Sequence, residues 1–162
     1  MSHHSPHRPG PASSPRPGAS CRCEGTVLLD GSVTVPVTLS FHYAADEPYA
    51  VRMVVDSGVT PPVEWVFARD LLAEGLSRPA GLGDVQTWPA PRRPQQMRAG
   101  RGALCIRISS PTGTTIVSAP ATALRRFLDR AYGSVAAGTE SGMLRLDESL
   151  AGLMRGTGRR TE

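Results

Sequence analysis

The feature that most restricts what this chain can fold into is an alternation running from position 33 to 43. Val33, Val35, Val37, Leu39, Phe41 and Tyr43 are separated by Thr34, Pro36, Thr38, Ser40 and His42, with Ser32 just before them. A period of two over that length means a strand with one dry face and one wet face. Pro36 has no N–H to give a ladder, so it predicts an edge position or a bulge at that point. Similar segments flank it. Cys21 to Leu29 reads as a preceding strand ended by the turn pair Asp30-Gly31, and Tyr49, Val51, Met53 and Val55 alternate again. Val63 to Phe67 supplies a fourth strand. Four strands joined by short polar loops predict an antiparallel meander.

The fourth strand passes without a turn residue into a short helix, Ala68 to Leu76, with Leu71, Leu72 and Leu76 at helical spacing. Gly75 closes it and Pro79 stops it. This run holds no residue set that does chemistry, which tilts the reading away from an enzyme. A second group of strands follows at Asp84 to Trp88, Ala103 to Ser109 and Thr114 to Ser118, with Pro111-Thr112-Gly113 as a hairpin turn. Ser118 as cap and Pro120 in the first turn predict a longer helix from Ala119 to about Tyr132. Its apolar stripe is Leu124, Phe127, Leu128 and Ala131, while Arg125, Arg126, Asp129 and Arg130 face water. Met143 to Leu146 reads as a last strand, and Asp147 as the cap of a terminal helix carrying Leu150, Leu153 and Met154. The expectation is an α+β domain of two antiparallel β-sheets with one short and one longer helix.

At 162 residues the chain suits one domain with a sizeable core. Residues 1–19 are a Pro/Ser/His-rich tail expected to be disordered, 20–154 the folded domain, and 155–162 a disordered basic tail. All 18 basic residues are arginine, with no lysine and no asparagine, the composition expected of a GC-rich genome rather than of selection for phosphate contacts. The positive excess sits in the tails: residues 23–154 hold 12 arginines against 13 carboxylates. Nonspecific nucleic-acid binding needs a concentrated basic surface, and this near-neutral core argues against that partner. There is no secretory apolar stretch and no run long enough to span a bilayer, so a cytoplasmic protein is expected. Cys21, Cys23 and Cys105 are an odd count and are expected to be reduced thiols.

A search for chemistry returns little. Cys21 and Cys23 share a strand face, but four zinc ligands in two separated pairs are missing, and small buried hydrophobes are the better account. His3, His4 and His7 lie in a tail without fixed geometry. Gly81-x-Gly83 lacks the third glycine and following helix of a dinucleotide site and reads as a turn. Asp46-Glu47 and Asp147-Glu148 sit at turns or caps. Glu64 reads as a surface salt-bridge partner rather than a general base. No Ser/His/Asp or Cys/His set can be assembled, so no catalytic residue, metal or cofactor is expected. Most aromatics fall on apolar stripes. Trp88 alone has cations near it, beside a Pro89–Gly102 loop carrying Arg92, Arg93, Arg98 and Arg101.

Several segments in order resemble one family. They are Glu47-Pro48-Tyr49-Ala50-Val51, the Val63–Pro79 run, Gly81-Leu82-Gly83-Asp84-Val85 with Trp88-Pro89, and Ile108-Ser109-Ser110-Pro111-Thr112-Gly113. Ala119-Pro120-Ala121-Thr122-Ala123-Leu124 with Phe127-Leu128 and Gly138-Thr139-Glu140 complete the set. Together they resemble the SsgA-like proteins, sporulation and septation factors of filamentous actinobacteria, over about Ser20 to Met154. The resemblance implies a fold similar to the whirly single-strand-binding proteins and assembly as homotrimers. It also implies a non-enzymatic scaffold at the division septum, acting through other SsgA-like proteins and through the tubulin-like division GTPase FtsZ. The tail before Ser20 and a longer, more basic Trp88-to-Leu104 connection depart from the family pattern.

Two functions follow from these readings. The first is a scaffold or regulator of sporulation-specific cell division, with Trp88, Arg92, Arg93, Arg98 and Arg101 of the loop and Arg125 and Arg126 of the longer helix as its candidate partner-binding surface. The alternative is a single-stranded nucleic-acid binder, motivated by the whirly-like fold and the arginines beside Trp88. That alternative rests on fold, which does not carry function.

Overall fold

The computed structural model describes residues 18–29, 31–91 and 102–139. Its elements run β1 (Gly18–Leu29), β2 (Val33–Ala44), β3 (Ala50–Asp56), β4 (Val63–Ala68), α1 (Arg69–Gly75), β5 (Val85–Pro89), β6 (Ala103–Ser110), β7 (Gly113–Pro120) and α2 (Ala121–Ser134). The strands form one seven-stranded antiparallel sheet in the order β4-β3-β2-β1-β7-β6-β5. The expected meander β1 to β4 is present. The expectation of two separate sheets is corrected, because the two meanders are joined where Thr26, Val27 and Leu28 of β1 pair with Ser118, Val117 and Ile116 of β7. Gly25 stands beside this seam. A Cβ there would fall 2.5 Å from the Ser118 carbonyl oxygen and 2.4 Å from Leu39 Cδ1, so only glycine lets β7 approach β1 so closely.

Pairing carries one apolar face across all seven strands. Cys21 and Cys23 of β1, Leu39 and Phe41 of β2, Met53 of β3 and Trp65 of β4 stand opposite one another in register. On the other side of the seam Val117, Ile106 and Thr87 do the same. Pro36 lies on an interior strand after all, not at the sheet's edge. Its place is still a local edge, because β3 pairs with β2 only from Thr38 to His42 and leaves Pro36 facing β1 alone.

The apolar face is covered by the helices over part of its area. Leu124, Phe127, Leu128 and Ala131 of α2 are buried, as their spacing predicts, and the Phe127 ring meets Phe41 with centroids 5.9 Å apart. Full burial of each large side chain contributes about 1.5–3 kcal/mol. The helix starts two residues later than the sequence suggests, and Ser118 does not cap it. β7 continues through Ala119 and Pro120, which pair with Leu104 and Ala103, before the helix begins. The ladder wins because the β6 partner is present to extend it.

The short helix α1 closes one end of the sheet. It follows β4 directly and packs on β5, where the Thr87 hydroxyl donates to the Leu71 carbonyl at 2.7 Å. Gly75 allows this contact: a Cβ there would lie 2.3 Å from Thr87 Oγ1. The two edges, β4 and β5, are thus bridged at the Phe67 end. The expected last strand and terminal helix over 143–154 fall outside the described residues, as do residues 1–17 of the expected tail 1–19 and all of the expected tail 155–162. Gly18 and Ala19 of the first tail instead open β1, paired with Ala44 and Tyr43.

Candidate partner-binding surface

The residues singled out in the sequence are only partly brought together. Arg92, Arg93, Arg98 and Arg101 lie outside the described residues. The base of their segment is fixed by two backbone bonds, Ala90 N–H to the Ala103 carbonyl at 2.8 Å and Ala121 N–H to the Gly102 carbonyl at 2.9 Å. That sets the base beside the first turn of α2, one turn before exposed Arg125 and Arg126. Trp88 is half-buried on the outer face of β5, opposite Cys105. Its neighbour Gln86 accepts a hydrogen bond from Arg107 on the same face.

The groups weighed for chemistry occupy ordinary structural positions. Glu64 stands 3.8 Å from Arg52 on the wet face of β3 and β4, with both side chains more than half exposed. Such a pair contributes about 0–1 kcal/mol. His42 is exposed. Cys21, Cys23 and Cys105 are free thiols, and the Cys21 thiol points at the Ala123 carbonyl of α2 at 3.8 Å. Partial burial, with Cys21 and Glu24 adding to it, pushes the Cys23 thiol up to about 11, and burial also raises Cys105. Both are held as protonated, weakly nucleophilic thiols. Among the described residues no group of three or more His, Cys, Asp or Glu side chains could hold a metal ion.

Two features escape the sequence reading. The first is Arg69, which opens α1 inside the strand-to-helix run yet is 1% exposed. Its guanidinium lies between two rings, 4.0 Å from the Tyr132 centroid and 5.0 Å from that of Tyr43. Nη1 donates to the carbonyls of Val135 at 2.8 Å and Ala131 at 3.3 Å, and to the Tyr43 hydroxyl oxygen at 3.1 Å. A cation at those carbonyls meets the negative end of α2. Beside it the Tyr132 hydroxyl donates to Asp70 at 2.9 Å. Arg69 therefore fastens α1, β2 and the C-terminus of α2 together. An arginine placed directly after an alternating strand was the available signal.

The second is a groove of about 540 Å³ at the end of the sheet that the helices leave open. Its floor and walls include Val27, Val37, Val55, Trp65, Ile108 and Val117. Its polar side chains are those of Ser57, Thr60, Ser110, Thr112 and Thr115, all hydroxyls, and no charged side chain lines it. The rim is apolar as well: Leu29 is 41% exposed, Val59 90% and Val63 50%. A patch of this kind is rare on a surface with no interaction to make. The surplus of inward-facing valines over what two helices can cover was its signal in the sequence.

Comparison with known proteins settles the family. The family model described as Streptomyces sporulation and cell division protein, SsgA, matches residues 37–140. The chain belongs to the SsgA family. Within it, the chain is 41% identical over 135 residues to sporulation-specific cell division protein SsgB of Streptomyces coelicolor, covering 83% of this chain and 94% of that relative. It is 49% identical over 120 residues to SsgB of Kineococcus radiotolerans, covering 74% and 70%. Among solved structures it matches an SsgA-like sporulation-specific cell division protein from Thermobifida fusca with TM-score 0.73 and 34% identity, over 86% of this chain and 98% of that one. A second was reported with the finding that mutations in SsgB correlate to longitudinal cell division during sporulation of Streptomyces coelicolor. It matches with TM-score 0.70 and 40% identity, over 82% and 99%. The resemblance read from the ordered segments is thereby shown, and the SsgA-family structures share the single α+β domain described above. Among the described residues no helix is long and apolar enough to cross a membrane.

Proposed function

We propose that this SsgA-family protein serves sporulation-specific cell division as a non-enzymatic scaffold, helping to position or assemble the septum through protein–protein contacts. The observation that carries this reading is the match to SsgB proteins, named for sporulation-specific cell division, over most of the chain. The uncharged apolar groove and its rim support contact as the mode of action, since they offer surface to a partner. Assembly as a homotrimer and contacts with other SsgA-like proteins and FtsZ belong to this proposal, as does a place at the division septum. Repetition of one weak contact around an oligomer converts it into strong attachment to a polymer.

A fluorescent fusion in sporulating hyphae tests the role. Signal should gather in ladders at sporulation septa, and deletion should leave hyphae without regular septation. Diffuse signal together with normal spores on deletion rejects it. Size-exclusion chromatography with light scattering tests the oligomer, and a clean monomer rejects the trimer.

A further inference from the structure

We propose that the open groove is a docking site for an extended, uncharged apolar segment of a partner protein, which pairs as an added strand with the outer edge of β4. The inference rests on the scaffold reading and names the surface through which it would act.

Three observations converge on that occupant. The lining carries no charged side chain, so a charged guest would lose hydration and gain no counter-charge. Four of its five hydroxyls are already paired, Ser57 with Thr60 at 3.0 Å and Ser110 with Thr112 at 2.9 Å, so the lining asks an apolar guest for little polar contact and leaves the guest's backbone to be satisfied elsewhere. β4 is the last strand in the sheet order, so among the described residues its outer N–H and C=O groups face no further strand. Val63 and Trp65 of β4 both line the groove and stand two residues apart. A guest strand in register beside them therefore sends every second side chain into the groove and leaves the others in water. The edge also lacks the devices that usually protect one, with Glu64 as its single charge and no proline between Val63 and Ala68. A helical guest would leave those backbone groups unmatched. The volume lies in the range of preformed binding sites, and the exposed rim at Val59 and Val63 extends the contact beyond what a small molecule reaches.

Random dodecapeptides displayed on phage and selected against the full-length protein test this. The expected consensus is alternating apolar residues without acids or bases at the alternating positions. Selected peptides should bind Val59→Arg and Thr112→Arg proteins about tenfold or more weakly, because each places a guanidinium against apolar guest side chains. Both positions are exposed on opposite lips of the groove, so the variants fold, and Leu82→Arg, exposed but outside the groove, should bind as wild type. A charged consensus, a helical spacing of three and four, or binders that ignore both lip variants overturn the proposal, as does a selection without binders. A photo-crosslinking benzoylphenylalanine in place of Val59 reports other occupants. A product of twice the chain mass, or a crosslink to residues 140–162 of the same chain, overturns it too. In hyphae, normal septation with the Val59→Arg protein alongside failed septation on deletion sinks the groove and leaves the scaffold role standing. Normal septation in both strains sinks the role itself.

Discussion

Replacing Arg69 with alanine is expected to lower stability by about 3–4 kcal/mol. The side chain is 1% exposed and its Nη1 serves three acceptors: two carbonyls at the end of α2 and the Tyr43 hydroxyl. The Val135 carbonyl loses this donor, and a buried acceptor so left costs about 1–3 kcal/mol, whereas the Ala131 carbonyl keeps the Val135 N–H and the Tyr43 hydroxyl its bond to the Pro48 carbonyl. Two ring faces at 4.0 and 5.0 Å lose their cation, and each such contact is worth about 0.5–2 kcal/mol. Against these losses stands the desolvation of the guanidinium, several kcal/mol that the variant no longer bears. For an ordered body of this size the net loss lowers Tm by about 10–15 °C. Urea unfolding followed by tryptophan fluorescence and by circular dichroism measures it. Arg69→Lys should fall between, since an ammonium reaches a carbonyl but does not stack as a plane. If alanine lies within about 1 kcal/mol of wild type, or Arg69→Met equals wild type, the fastening role assigned to this side chain is wrong.

Four further outcomes are expected. Gly75→Ala should destabilise by about 1–3 kcal/mol despite alanine's better helix propensity, because the new methyl collides with Thr87; a stabilised variant in thermal melts would contradict the packing of α1 on β5. Phe127→Ala should cost about 3–5 kcal/mol in urea titration, and a loss under about 1 kcal/mol would mean that α2 is not seated on Phe41. Cys23 should react slowly with iodoacetamide at pH 8 in the folded protein, with its rate rising only as pH approaches its raised value of about 11. The sign for stability follows: the folded state holds this proton more tightly than the unfolded state, so the contribution is complete below the unfolded thiol's pKa of about 9 and declines as pH rises from there through about 11. Glu64→Ala should change stability by less than about 1 kcal/mol, and a larger loss would show that its exposed pair with Arg52 does more than its geometry suggests.

Much of the fold was legible because it is local. Period two in 33–43 and helical spacing in 121–131 each state a buried face in consecutive residues, and the faces are buried as written from Val37 to Tyr43 and from Leu124 to Ala131. What was not legible depends on partners far away in the chain. The seam between Thr26–Leu28 and Ile116–Ser118 has no local mark, so two meanders read as two sheets. The start of α2 slipped for the same reason, since β6 decides how long β7 runs. Arg69 was not singled out because burial of an arginine depends on two tyrosines and a helix end brought from 26 to 66 residues away. Of the candidate surface, Trp88, Arg125 and Arg126 lie at the outside of the fold, whereas the groove emerged only when valines from both meanders were set face to face.

Gly25 has a consequence for that groove. Its two walls belong to different halves of the sheet, Val55 and Trp65 on one and Ile108 and Thr112 on the other. The halves meet along three residue pairs beside a position with no side chain. With α1 on β5 as the other tie between the halves, this narrow join helps to set how far apart the walls stand, so a bulkier residue there would shift them while leaving each meander whole. Whatever grips the cleft then also grips the join, and tension on one should be felt at the other.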